Sequence, residues 1–230
     1  FAIHALCALL LAGIVRRTLV APRLADRFGS SAEPIALAAA LIFLVHPLAS
    51  EVVCYVSART ESLVALFYLA TLYGSTRASA SERPWVWVAV AIACSVLGMA
   101  SKEVMVSAPV VVALHDVVFL GPADARQRRV RIALWSGLAA GWAVLGFLIA
   151  TQPRTESAGF ALWVTPLVYL ANQCSVLPEY LRLLFWPVGL RIDYGLPQPL
   201  GLGDVWAGAS LLVGLCALAL YALWRWPAAG

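Results

Sequence analysis

The sequence predicts an all-α fold, a polytopic transmembrane helical bundle of about seven spans. Apolar residues make up 62% of the 230-residue chain and charged residues only 12%, whereas soluble domains contain about 25% charged residues. The apolar residues form long, nearly uncharged runs, and a run of about 20 residues matches the ~30 Å hydrocarbon core of a bilayer. Because these runs recur along the whole chain, one cleaved signal peptide does not explain them.

Several apolar runs are expected to cross the membrane, and the shorter ones need tilt or flanking helical turns to do so. Pro34 and Pro84 begin two of these runs, at positions where a first-turn proline is tolerated. We expect residues 1–230 to form a single transmembrane domain. The predicted spans are 1–16, 34–50, 61–76, 84–101, 104–120, 131–150 and 203–224.

Arginine and lysine predict the orientation, because cytoplasmic loops carry an excess of both. If the spans alternate, the 16 basic residues divide into two unequal groups. The larger group, assigned to the cytoplasm together with the C-terminus, is Arg16, Arg17, Arg23, Arg27, Arg77, Arg83, Arg126, Arg128, Arg129, Arg131 and Arg225. The smaller group, assigned to the periplasm of a bacterial inner membrane or to the lumen of the endoplasmic reticulum, is Arg59, Lys102, Arg154, Arg182 and Arg191.

The stretch 151–202 must stay on the outer side overall for this topology to hold. Residues 160–186 are apolar enough to span, but Pro166, Pro178 and Pro187 interrupt them and polar side chains stud them. We therefore predict an outer interfacial or re-entrant helical segment rather than a clean span. Its tryptophans and tyrosines suit the membrane–water interface.

Ionisable residues at membrane depth are costly and are therefore candidate functional residues. The first of three polar clusters on the predicted outer side contains His46, Glu51, Arg59 and Glu61, between two spans. This cluster is either a polar outer loop with a local Glu–Arg pair or part of a polar pocket. The density of ionisable groups in so apolar a chain favours the pocket.

The other two clusters contain the remaining outer-side charges of interest. Lys102 and Glu103 stand between two spans with almost no loop, either as a tight turn with a snorkelling lysine or as a site where the lysine pairs with a phosphate. Residues 178–197 hold Arg182 and Arg191 among apolar and aromatic side chains. These arginines belong either to an interfacial helix facing water or to the same outer pocket.

Three further signals bear on function. His115 and Asp116, at the cytoplasmic end of the fifth span, are expected to form a helix-end polar pair, and His4 lies on the side of the three clusters. The sequence contains no metal-ligand cluster, glycine-rich phosphate loop or nucleophile motif. Its basic residues also do not cluster as a nucleic-acid-binding face requires. A bound metal and a nucleic-acid partner are therefore not expected.

Three stretches, in this order, resemble motifs of one enzyme family. They are LIFLVHPLASEVVCYVSARTESLVALFYLATL (41–72), SKEVMVSAPVVVALHD (101–116) and YLRLLFWPVGLRIDYGLP (180–197). They are similar to the HP-x-x-x-E-x-V…R-x-(E/D)-x-L, SKE-x-x-x-x-x-P…D and YLR-x-L-x-x-P-x-x-L-x-x-DY motifs of the transmembrane O-mannosyltransferases that carry tetratricopeptide repeats. The resemblance covers about 1–200 and concerns the membrane domain of that family.

The resemblance implies a GT-C fold, which is a polytopic glycosyltransferase with its active site on the outer or lumenal face. Such enzymes transfer a sugar, commonly mannose, from a polyprenyl-phosphate donor to a serine or threonine hydroxyl or another acceptor. We expect two parts of the family pattern to be missing from this chain. One is the first span with its acidic outer loop, and the other is the set of tetratricopeptide repeats.

Charge placement and the resemblance together predict a site. Sugar transfer with inversion needs a base for the acceptor and cationic groups for the departing lipid phosphate, and arginine and lysine suit the latter. The predicted site residues are Arg59, Lys102 and Arg182 for the phosphate, Glu51, Glu61 and Glu103 as catalytic acidic residues, and His46 and Arg191 elsewhere in the pocket. No cofactor is firmly implied, and the expected partners are membrane lipids, the polyprenyl-linked donor, and a protein acceptor or neighbouring membrane subunits.

Two other functions stay open. The chain could be a non-catalytic GT-C-like subunit that packs in a larger membrane complex, which the expected absence of the acidic loop favours. A transporter of lipid-linked sugars ranks third. Transporters tend to show inverted repeats with broken helices in matched halves, and no such internal symmetry is visible in the sequence.

Overall fold

Within its described ranges the chain is helical throughout its regular structure, which confirms the predicted fold class. The computed structural model describes residues 1–54, 59–121, 123–151, 165–191 and 198–225. The chain divides into two compact units, Phe1–Thr151 and Gln152–Gly230. The prediction of a single domain over 1–230 stays a prediction.

Within the described ranges, the first unit contains eight α-helices and the second contains two. In chain order they are α1 (Ala2–Leu19), α2 (Ala25–Phe28), α3 (Ala32–Val45), α4 (Ser50–Cys54), α5 (Arg59–Ala80), α6 (Pro84–Ser101), α7 (Ala108–His115), α8 (Ala125–Thr151), α9 (Pro166–Phe185) and α10 (Leu202–Arg225).

Six of the seven predicted spans correspond to candidate spans of the structure, and the predicted span 61–76 falls in α5. In the described part of the chain, six helical stretches are long and apolar enough to cross a bilayer, and a seventh results if 47–54 and α5 form one bent span. The six are Ala2–Leu19, Ala25–Val45, Pro84–Ser101, Glu103–Leu120, Ala125–Leu148 and Gly203–Arg225. Helix α9 is not among them, and its interfacial or re-entrant placement stays a prediction.

Helix α8 begins at Ala125, well before the predicted span start at 131, because its first turn is capped. Asp124 Oδ1 accepts the backbone N–H of Gln127 at 2.7 Å, and Gln127 Oε1 accepts the N–H of Asp124 at 3.1 Å. This reciprocal pair satisfies donors that a helix N-terminus otherwise leaves unpaired. The helix therefore starts among basic residues that hydropathy alone assigns to a loop.

Small residues bring α5 and α6 together. A Cβ added at Gly74 would lie 3.1 Å from the Cβ of Ala91, closer than ordinary van der Waals contact. Thr71 is fully buried, and its hydroxyl donates to the carbonyls of Phe67 at 2.7 Å and Ala91 at 3.4 Å. Close approach through small residues is typical of membrane helices, because lipid supplies no hydrophobic drive between them.

The span Glu103–Leu120 is built from three kinds of helix. It begins as a 3₁₀ helix over Glu103–Ser107, continues as α7, and ends as a π-helix over Asp116–Leu120. Gly121 follows with a φ of 68°, a left-handed conformation that glycine adopts without strain.

Two arginines bind the carbonyl groups at the end of this span. Arg23 donates to the carbonyls of Val117 at 2.8 Å and Val118 at 2.6 Å, and Arg131 donates to that of Gly121 at 2.8 Å. The last carbonyls of a helix have no partner within it, and hydrocarbon offers none. The arginines therefore have a structural role besides any topological one.

In the second unit, an asparagine joins α9 to the segment before α10. Asn172 Nδ2 donates to the carbonyls of Val168 and Gln198, each at 2.7 Å, and Asn172 Oδ1 accepts the N–H of Gln198 at 3.2 Å. Helix α9 continues through Pro178, so this proline does not end the helix. The helix ends at Phe185, before Pro187.

The contact between α9 and α10 yields a stability prediction. A Cβ at Gly208 would overlap the backbone carbonyl oxygen of Cys174. We expect Gly208→Ala to push the helices apart and lower the free energy of unfolding by about 1–3 kcal/mol, although alanine favours a helix by about 1 kcal/mol over glycine. Gly214→Ala is the matched control, because nothing lies within 4 Å of a Cβ there. Thermal unfolding in detergent measures both, and equal changes in Tm would contradict the prediction.

Candidate functional site

Lys102 and Glu61 form an ion pair assembled from two helix ends. Glu61 lies in the first turn of α5, and Lys102 follows the last residue of α6. The Lys102 ammonium donates a hydrogen bond to Glu61 Oε1. The side chains remain 36% and 42% exposed, respectively. The pair is therefore open to a ligand that could compete for the ammonium.

The turn that carries Lys102 is bound to two neighbouring helices. The hydroxyls of Tyr68 in α5 and Ser107 at the end of the turn lie 3.1 Å apart, within hydrogen-bond distance. Trp142 of α8 donates its Nε1–H to the carbonyl of Val106 at 3.0 Å. These bonds restrict the turn, and with it the position of the Lys102 backbone.

Arg59 lines a cavity of about 290 Å³ that it shares with His4 and Ser62. Neither Glu61 nor Lys102 is among the described residues that line this cavity. The spacing explains the separation, because residues two apart on a helix point about 200° apart. Arg59 therefore lies at the same end of the first unit as Lys102, but its side chain is on a different face of α5 from that of Glu61.

His4 and Ser62 join neighbouring helices at this same end of the unit. The imidazole of His4 stacks on Phe43, with ring centroids 4.9 Å apart, and its Nε2 lies 3.2 Å from the carbonyl oxygen of Leu44 at the end of α3. Ser62 donates to the carbonyl of Val52 at 3.2 Å, which joins α5 to α4. The starts of α1 and α5 and the end of α3 therefore meet here.

The other predicted site residues of the first unit fall close by in the chain. His46 is half-buried, and its Nδ1 accepts the N–H of Leu48 at 3.2 Å, so it caps the following 3₁₀ turn. Glu51 belongs to α4, and its side chain lies outside the described part of the structure. Glu103 is half-buried at the start of the 3₁₀ helix after Lys102. Their predicted functional roles stay predictions.

Arg182, in the second unit, forms a two-pronged pair with Glu179. Its Nε donates to Glu179 Oε2 at 2.8 Å and its Nη2 to Oε1 at 2.6 Å. Nη2 also donates to the carbonyl of Val188 at 3.0 Å, beyond the end of α9. Arg182 thus closes the C-terminal end of this helix. Arg191 is exposed, and the prediction that these two arginines join the outer pocket stays a prediction.

A buried ion pair that the sequence does not reveal lies at the opposite end of the first unit. Asp116 is 4% exposed, and its Oδ1 lies 3.0 Å from Arg131 Nε. His115 Nε2 lies 2.8 Å from Thr18 Oγ1. The two adjacent polar residues therefore bind different helices, α8 and α1. Local sequence does not indicate these partners, because they come from separate parts of the chain.

This fold and its polar helix ends define a polytopic helical membrane protein. The chain is similar to Protein O-mannosyl-transferase Tmtc2 of Drosophila melanogaster, with 29% identity over 182 residues that cover 73% of this chain. It spans 19% of the length of that relative. No protein-family model matches the chain, and no solved structure matches it either. The similarity supports, at the level of the family, a relationship to a membrane glycosyltransferase.

The buried pair of Asp116 and Arg131 yields a second prediction. Asp116→Ala leaves the Arg131 guanidinium, only 13% exposed, without its carboxylate, and we expect it to lower the free energy of unfolding by about 3–5 kcal/mol. The double variant Asp116→Leu with Arg131→Met removes both charges and should recover part of that loss. Denaturant unfolding in detergent compares them. A double variant less stable than Asp116→Ala would contradict the account.

A third prediction concerns acid and the end of α9. The hydrogen bond from Arg182 lowers the pKa of Glu179 below its ordinary value, with the charges of Arg182 and Arg191 adding to the effect. A lowered pKa means that the pair stabilises the fold above the unfolded-state pKa, and that this contribution is lost as pH falls through the folded value. The protection of the Trp186 and Val188 backbone amides against hydrogen exchange, taken relative to the intrinsic exchange rate at each pH, should therefore fall in acid. Glu179→Gln should remove this acid response, and an unchanged response would contradict it.

Proposed function

We propose that this chain is part of a membrane glycosyltransferase that transfers a sugar, mannose, from a polyprenyl-phosphate donor to a protein hydroxyl or another acceptor. The reaction would take place on the outer or lumenal face. The similarity to Protein O-mannosyl-transferase Tmtc2 supports the class of enzyme. The observation that carries the site is the part-exposed ammonium of Lys102, held by Glu61 at a helix end.

Lys102 is the proposed ligand of the donor phosphate. It directly follows the candidate span Pro84–Ser101, where the chain would reach the interface at which a lipid-linked phosphate lies. An ammonium is a compact charge that suits a phosphate oxygen, and it stabilises the negative charge that grows on the leaving lipid phosphate. Before the donor binds, Glu61 keeps the ammonium in position.

Arg59 is the proposed second cation. Its cavity has apolar walls, to which Val52 and Leu63 contribute, next to the guanidinium and the His4 ring. This combination suits an isoprenoid chain that ends in a phosphate, because the chain needs apolar contact and the phosphate needs a donor-rich cation. The volume of about 290 Å³ would hold a headgroup or a short part of the lipid.

The remaining predicted residues complete the proposal. Glu51, Glu61 and Glu103 would orient the cations or the sugar hydroxyls, and the base for the acceptor hydroxyl would be a carboxylate. His46 would line the pocket, and no role in this site is proposed for Arg182 and Arg191, which belong to the second unit. Membrane lipids and the polyprenyl-linked donor are the proposed small-molecule partners.

The fourth prediction tests Lys102 in the native full-length protein. Membranes containing wild type or Lys102→Gln are supplied with polyprenyl-phosphate mannose carrying a radiolabelled sugar, and transfer to acceptor is measured. We expect a loss on the order of 10²-fold, the size found when one group that stabilises a developing anion is removed. Lys102→Arg, which keeps the charge, should retain part of the activity.

Arg27→Gln is the matched control, because Arg27 is an exposed cation in α2, outside the proposed site. It should transfer sugar at the wild-type rate. Wild-type transfer by Lys102→Gln at equal expression would contradict the site. No transfer by the wild type with any polyprenyl-phosphate sugar would contradict the enzyme and favour the non-catalytic subunit.

A further inference from the structure

The N-terminal ends of α6 and α8 lie side by side and carry a basic patch, defined by Arg83, Arg126, Arg128 and Arg129. Arg83 is the N-cap of α6, and the other three lie in the first turns of α8. All four are exposed. Arg126 Nη2 donates to the carbonyl of Glu82 at 3.2 Å, which joins the two helix ends into one surface.

The basic patch has a net positive charge, because its four arginines outnumber the two neighbouring carboxylates. Glu82 and Asp124 are the adjacent acidic residues, and Asp124 is engaged by the Gln127 amide at 2.7 Å. Within the described residues, Arg128 and Arg129 have no ion-pair or hydrogen-bond partner for their side chains. Nearby Arg131 differs, because it is paired with Asp116 and contributes no free charge.

Helix polarity adds to this excess. The N-terminal end of a helix carries a partial positive charge, so cations there are unfavourable by about 0.3–1 kcal/mol each. Two such ends meet at the basic patch, and the arginines raise the positive potential instead of offsetting it. An anion placed here would interact favourably with the arginines and with the N-terminal end of α6, which has no side-chain cap, whereas Asp124 already caps that of α8.

Span length and an exposed tryptophan favour placement of the basic patch at the depth of lipid headgroups. The candidate span Ala125–Leu148 has 24 residues, or about 36 Å at 1.5 Å per residue, which exceeds the ~30 Å hydrocarbon core. Because charged side chains are costly in hydrocarbon, we expect the excess length to lie at the basic first turn. Trp85, in the first turn of α6, is 57% exposed, and exposed tryptophan is favoured at the membrane interface.

Arg128 and Arg129 also stand above an apolar outward face of α8. Val130 and Leu134 are buried and define the inner face of the helix. At 100° per residue, positions 128 and 129 fall on the opposite side. Ile132, 55% exposed, follows on that side one turn later. Charge at the end of an apolar strip matches a phospholipid, whose headgroup stands above its acyl chains.

We propose that the basic patch binds the phosphate headgroups of anionic phospholipids in the leaflet that it faces. The acyl chains of these lipids lie along the outward face of α8. The proposal rests on the membrane fold and is independent of the proposed sugar transfer. It assigns Arg83, Arg126, Arg128 and Arg129 a partner beyond their contribution to topology.

The test uses the native full-length protein in vesicles of phosphatidylcholine mixed with phosphatidylglycerol. Native mass spectrometry counts the lipids of each class that stay bound to the protein when it is released from the vesicles. The double variant Arg128→Gln with Arg129→Gln should lower the preference for phosphatidylglycerol by at least about tenfold, because each arginine near an anionic surface contributes about fivefold in affinity. These two side chains have no described partner in the fold, so their removal should leave the protein folded.

Two controls make the result specific. Arg16→Gln with Arg27→Gln removes the same charge from exposed arginines that already have partners, Glu33 for Arg16 and the Phe28 ring for Arg27, and should keep most of the lipid preference. Arg128→Lys with Arg129→Lys keeps the charge and should keep most of it. An unchanged preference in the glutamine variant would overturn the proposal, as would an equal loss in the first control. The proposal would also be overturned if, in lipid-free detergent, the wild type retains a bound protein that the glutamine variant loses. The basic patch would then be a protein-binding surface.

Discussion

Hydrocarbon offers a backbone amide or carbonyl no hydrogen-bond partner, so a helix in a membrane must satisfy its ends within the protein or reach the interface. The first unit does both. Arg23 and Arg131 donate to the carbonyls around Gly121, where a π-helix ends. Helix α8 instead extends to a capping pair at Asp124 and Gln127. The same need explains the positions of Arg23 and Arg131, whereas Arg128 and Arg129 satisfy no helix end among the described residues.

The sequence was sufficient to predict the fold class and most spans, because run length and charge follow directly from the thickness of the bilayer. The span 84–101 coincides with α6, since Pro84 begins the helix and a polar turn follows it. Helix boundaries were less predictable where side chains cap the helix. Hydropathy cannot register a capping pair such as the one that starts α8, nor can it foresee that α9 continues through Pro178.

The sequence was sufficient to single out individual residues of the candidate site, but not to predict which of them contact each other. Charge in an apolar chain singled out Lys102 and Glu61, yet their contact joins positions far apart in sequence and depends on how α5 packs against α6. Arg182 was predicted as a phosphate ligand, and the structure shows it closing α9 through Glu179. Topological arguments give every arginine the same weight, whereas the structure separates those that bind carbonyls or carboxylates, such as Arg23 and Arg131, from those without a described partner, such as Arg128 and Arg129.

The central claim is that the end of the first unit with Lys102 and Arg59 binds a lipid-linked phosphate. Photo-crosslinking of the native full-length protein with a photoreactive polyprenyl phosphate tests it most directly, with the labelled peptides mapped by mass spectrometry. The account predicts label in 44–64 or 98–107, which unlabelled polyprenyl-phosphate mannose displaces. Label confined to 76–84 and 123–131, or label that the competitor does not displace, would contradict it.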